Sequence, residues 1–165
     1  MSVREEALEL TKRAAAGGQH GHVISPTDLA ALARDLGAAF PPWLSELFTS
    51  VPLSGLELGW REHPGPDGIA WLQWSDARNI RSESLECYPG CAILPRGYVN
   101  VASCLDGSGD PYFICLAQGN DPPLYRVYHD VSDQPDLILA EGLHEIAPSL
   151  TSFFRKARVA AEGAA

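Results

Sequence analysis

The sequence predicts an α+β fold: an antiparallel, twisted sheet of about five to six strands, with N-terminal helices and a C-terminal helix packed on it. Three features point there. Apolar residues recur every three or four positions up to residue 50. From residue 56 they alternate with polar residues or form short apolar runs, separated by turns rich in Gly, Pro and Asp. Helical spacing then returns between Leu150 and Arg158.

Residues 2–16 read as a helix, with Val3, Ala7, Leu8, Leu10 and Ala14 as contact positions. Gly17-Gly18-Gln19-His20-Gly21-His22 breaks it. Residues 1–22 are therefore expected to be a helix and a flexible linker, mobile or loosely docked, ahead of a single domain over residues 23–160. The next helix is better marked. Ser25 can cap it, Pro26 fits its first turn, and Asp28 complements its positive N-terminal end. Leu29, Leu32, Ala33 and Leu36 recur at helical spacing, and Gly37 suits the stop. Phe40-Pro41-Pro42 then redirects the chain, and Pro42 opens a short helix carrying Trp43, Leu44, Leu47 and Phe48 on its buried side.

Past Pro52 the period changes. Leu56, Leu58 and Trp60 alternate with Glu57 and Gly59, as in a strand. His63-Pro64-Gly65-Pro66-Asp67-Gly68 is a turn, and residues 69–74 form a second strand. Residues 76–86 are polar and read as a loop with a helical turn, and residues 91–94 as a short apolar strand. Strands follow at 98–104, 112–117 and 124–129, joined by hairpin connections over 105–111 and 118–123. A last short strand is expected at 137–140. Ser149 caps the closing helix, whose Leu150, Phe153, Phe154 and Ala157 form the packing face. Arg155, Lys156 and Arg158 lie near its C-terminal end, where positive charge is favoured.

The 165 residues suffice for one ordinary domain with a real core, and 45% hydrophobic content argues against global disorder. Twenty-one acids against twelve bases give a net charge of −9. Such a chain repels phosphate backbones and anionic membranes, so neither nucleic acid nor membrane is expected as a partner. It attracts a basic protein instead. Residues 1–11 carry Arg4, Glu5, Glu6 and Glu9 and lack the apolar run of an export signal. A cytoplasmic setting is therefore expected, with Cys87, Cys91, Cys104 and Cys115 reduced.

Four stretches carry a resemblance: Phe40-Pro41-Pro42-Trp43-Leu44-Ser45-Glu46-Leu47-Phe48; Asp106-Gly107-Ser108-Gly109-Asp110 before Tyr112-Phe113-Ile114-Cys115-Leu116; Leu124-Tyr125-Arg126-Val127-Tyr128-His129-Asp130; and Ile146-Ala147-Pro148-Ser149-Leu150-Thr151-Ser152-Phe153-Phe154. In this order they resemble the SUKH superfamily, which includes bacterial immunity proteins and a fungal regulator of cell-wall assembly. The helix at 2–16 lies outside that likeness, and Leu116-Ala117-Gln118 stands where an aspartate is more usual. The resemblance implies a non-catalytic binding protein that neutralises a toxin by docking onto it, with no cofactor.

Between residues 97 and 147 stand Asp106, Asp110, Asp121, Asp130, Asp133, Asp136, Glu141 and Glu145, against Arg126 alone. They fall mostly at strand ends and in hairpin loops, so they are expected to converge on one rim that meets a basic surface, such as a toxin domain. The first six aspartates are the candidate partner-binding residues. Trp71 and Trp74 join them: three apart in a strand, they face opposite sides, which leaves one on the less covered face. No catalytic residue, metal or cofactor is assigned. Asp106-x-Ser108-x-Asp110 lacks the later acid of a calcium loop, and Cys87-x-x-x-Cys91 lacks the paired spacing of structural zinc sites. Two other readings stay open. One is a regulatory or scaffolding module without a toxin partner; the other is a small hydrolase using Cys104 or Cys115 with His129 and Asp130.

Overall fold

A computed structural model describes residues 1–160 and shows an α+β architecture. Local capping signals set the first helices. Ser2 and Glu5 form a reciprocal capping box at the start of α1 (Val3–Ala16). The Ser25 side chain accepts the Asp28 N–H at the start of α2 (Pro26–Leu36), and Gly37 ends that helix at φ 62°. Pro42 opens α3 (Pro42–Ser50).

Six strands then follow as an antiparallel meander: β1 (Glu57–Arg61), β2 (Ile69–Trp74), β3 (Tyr98–Cys104), β4 (Tyr112–Cys115), β5 (Leu124–Val127) and β6 (Leu143–Ala147). A two-residue β7 (Arg158–Val159) returns to pair with β1, giving the order β6-β5-β4-β3-β2-β1-β7. The interleaved helices are α4 (Ala77–Leu85) and α5 (Gly90–Ile93) between β2 and β3, α6 (Pro135–Leu137) between β5 and β6, and α7 (Leu150–Lys156) before β7.

Strand alternation sorts the side chains between two faces. Leu58, Trp60, Leu72, Trp74, Tyr112, Ile114 and Leu124 join the main core with α1, α2, α3 and α7. Each fully buried leucine there contributes about 1.5–3 kcal/mol by leaving water. Phe113 and Val127 point the other way, onto Ile93 of α5 and Ile138 just past α6. The sheet is strongly curled. Trp60 Nε1 of β1 donates to the Tyr112 hydroxyl of β4 at 3.0 Å, across two intervening strands. Arg126 of β5 reaches Glu62 at 2.6 Å. Contacts between such distant strands require a half-barrel with the main core on its concave side.

Several sequence expectations change. Residues 1–22 are not loosely held. Ala7, Leu10 and Ala14 are fully buried in the main core, and Arg13 donates to the Phe154 and Ala157 carbonyls. Gln19 bonds the Glu57 and Ala160 carbonyls and accepts the Glu57 N–H, so the glycine-rich break is tied to β1. Residues 91–94 are helical, not a strand: a run of four apolar residues has no resolvable period, and Ile93 is taken up by the convex-face cluster. Gly90 lets this turn press against α4: a Cβ there would lie 1.8 Å from the Glu83 carbonyl oxygen. Residues 137–140 are also helical, within α6 and the wide π-helical turn Ile138–Gly142. The strands the sequence left unmarked are β6 and β7, and α7 ends at Lys156, ahead of Arg158.

Candidate docking surface

Antiparallel pairing sends successive connections to alternate ends of a sheet. The β1–β2, β3–β4 and β5–β6 connections therefore leave at one end, and the β4–β5 loop at the other. The first end gathers residues 62–68, 105–111 and 128–134, which carry Glu62, Asp67, Asp106, Asp110, Asp130 and Asp133.

These six acids do different things. Asp106 Oδ2 accepts the Trp71 N–H at 2.6 Å, which pins the β3–β4 loop to β2 while the residue stays exposed. Asp110 is only 8% exposed. Its Oδ1 accepts the His129 backbone N–H at 3.0 Å and meets the ring Nδ1 at 2.7 Å. That carboxylate raises the His129 pKa above its ordinary value, against a smaller opposing effect of burial. Asp130 and Asp133 are exposed, and among the described residues neither they nor Asp106 are ion-paired. Glu62 is spent internally on Arg126.

Arg126 is 9% exposed and lies between the rings of Trp60 and Tyr128, at 5.3 and 5.5 Å from their centroids. Burial opposes its charge, but the Glu62 carboxylate and Tyr128 outweigh it and hold the pKa above the usual guanidinium value. Burial likewise pushes the neighbouring Tyr112 phenol up to about 12. This cluster braces the acidic end from inside.

The single rim of eight residues is thus corrected. Asp121 lies at the opposite end, where its Oδ1 accepts the Thr151 N–H at 2.9 Å in the first turn of α7. Asp136 sits on the helical cover of the convex face and pairs with Arg96 at 2.7 Å. Asp110 is turned inward. Trp74 is 1% exposed and packs on Phe153 and Phe154, so it cannot meet a partner. Trp71 lies half-buried on the other face, over Gly59, where a Cβ would come within 3.0 Å of its ring. What remains together is Asp106, Asp130 and Asp133, with Trp71 held beside Asp106. Asp67 in the β1–β2 turn belongs to the same end. The parity of connections in a meander carries that signal, whereas charge counted along one segment does not.

The thiol and metal readings meet other geometry. His129 engages Asp110, not Asp130. The Cys104 thiol lies 3.0 Å from the Ser108 hydroxyl, and Cys115 is buried. Among the described residues, neither thiol is hydrogen-bonded to His129. Asp106, Ser108 and Asp110 turn to separate partners, and among the described residues no three His, Cys, Asp or Glu side chains converge as metal ligands. No described helix is long and apolar enough to cross a membrane.

No protein-family model matches the chain, and a search of curated proteins finds no relative of it.

Proposed function

We propose that this chain is a non-catalytic, cytoplasmic binding protein that docks the acidic end of its sheet onto a basic protein surface. The observation that carries this reading is the grouping of exposed Asp106, Asp130 and Asp133, none of them ion-paired among the described residues. They come from connections distant in sequence, and the internal Glu62–Arg126 and Asp110–His129 pairs hold those connections in place. Exposed carboxylates without a cationic neighbour steer a cationic partner and accelerate encounter. Trp71 supplies a rigid apolar contact beside them. The SUKH-like succession of elements points to a toxin domain as the basic partner, with the chain acting as its immunity protein.

Affinity capture from the source cell, followed by amide-exchange footprinting of the purified complex, tests this. A captured basic protein whose own activity falls on binding, with protection concentrated at residues 105–111 and 128–134, is the expected result. A partner that protects only the β4–β5 end, or one that is itself acidic, would overturn the assignment.

A further inference from the structure

The two edges of the half-barrel do not meet, and the seam between them holds a cleft of about 460 Å³. Its walls are Trp60 and Arg61 of β1, Ile146 of β6, Phe153 and Lys156 of α7, and Arg158 of β7. The topology explains the opening. β7 pairs with β1 only at Leu58 and Gly59, so Trp60 and Arg61 extend beyond it. α7 crosses from β6 to β7 and forms the floor.

The lining is unusual for this chain. Net charge is −9, yet every ionisable residue lining the cleft is a cation. Of the twelve Lys and Arg residues, seven are ion-paired with carboxylates, and Arg13 is bonded to the last carbonyls of α7. Four remain among the described residues: Arg61, Arg78, Lys156 and Arg158. Three of these four line the cleft. The Arg61 guanidinium gives one N–H to the Gly65 carbonyl and keeps its other donors. Inside the ring of cations the surface is aromatic, nearly buried and fixed. Arg126 backs the Trp60 ring, Tyr112 takes its N–H, and Phe153 stacks on buried Trp74. Alternation sets Arg61 and Arg158 on the outer face of the β1–β7 edge, so they rim the cleft together with Lys156 of α7. Cations rimming a rigid apolar floor, in a volume within the range of about 300–1,000 Å³ common for small-ligand sites, define a ligand chemistry.

We propose that this cleft binds a small organic anion. Its flat apolar or aromatic body lies on Trp60, Phe153 and Ile146, and its acid group, carboxylate, sulfonate or phosphate, is held by Lys156, Arg158 and Arg61. The cleft opens on the seam beside the β1–β2 turn, and the inference does not depend on the docking reading.

The test is a fluorescence titration of the full chain with 8-anilinonaphthalene-1-sulfonate and with its uncharged parent, N-phenyl-1-naphthylamine. The expected result is one sulfonate per chain, bound about tenfold or more tighter than the neutral dye at low salt. Amide shifts should centre on residues 60–61 and 146–158. The double variant K156Q/R158Q should weaken the sulfonate about tenfold and leave the neutral dye unchanged. Both side chains are exposed, and an unchanged melting curve verifies the fold. Equal affinity for the two dyes, shifts elsewhere, or an unaffected double variant would overturn the proposal. So would displacement of the sulfonate by hexaglutamate at lower concentration than by naphthalene-2-sulfonate, which would assign the cleft to an acidic peptide.

Discussion

Asp110 and His129 form a pair in which the acid is nearly buried and the imidazole is open to water. The carboxylate stabilises the protonated ring, so the folded-state pKa of His129 lies above its unfolded value. The sign of the linkage follows. The stabilising contribution is complete below the unfolded value, about 6.5, and is lost as pH rises through the folded value. An NMR titration of the His129 ring should give a midpoint above about 6.5, and Asp110→Asn should lower it. Identical midpoints in the two proteins would remove the pair from the account. At this scale the sequence is only half legible. The period of two places Trp71 and Trp74 on opposite faces. Which face is covered depends on Phe153 and Phe154, which arrive from the far end of the chain.

Among the elements, the helices with strong end signals are the ones the sequence marks well. Ser25, Pro26 and Gly37 bound α2, and Ser149 caps α7 by accepting the Ser152 N–H. The failures are short segments. Residues 91–94 and 137–140 are apolar runs too brief to show a period, and each is helical because of what it covers on the convex face. β7 is two residues long and exists through its pairing with β1. Asp121 illustrates a loop residue working for a distant element, since its carboxylate satisfies an otherwise unpaired N–H of α7. Asp121→Ala should cost about 1 kcal/mol in urea unfolding, and should leave partner association unchanged. An unaltered midpoint would mean that Ser149 caps the helix alone.

For the whole molecule, the decisive property is the curled meander. Sequence alone predicts its α+β class and the run of antiparallel strands. It does not reveal that Trp60, Tyr112 and Arg126, from strands well separated in the sheet, meet inside the half-barrel. That closure braces the end from which the acidic connections emerge. The fold also divides the aspartates, so the proposed docking surface is smaller than their number along the chain suggests. Stopped-flow association with the captured partner, comparing wild type with D106N/D130N/D133N, tests the claim most directly. The wild-type rate constant should exceed that of the variant about tenfold at about 20 mM salt, and the two should converge near 0.5 M with little change in dissociation. Equal association rates at low salt would contradict an electrostatic docking role for this end of the sheet.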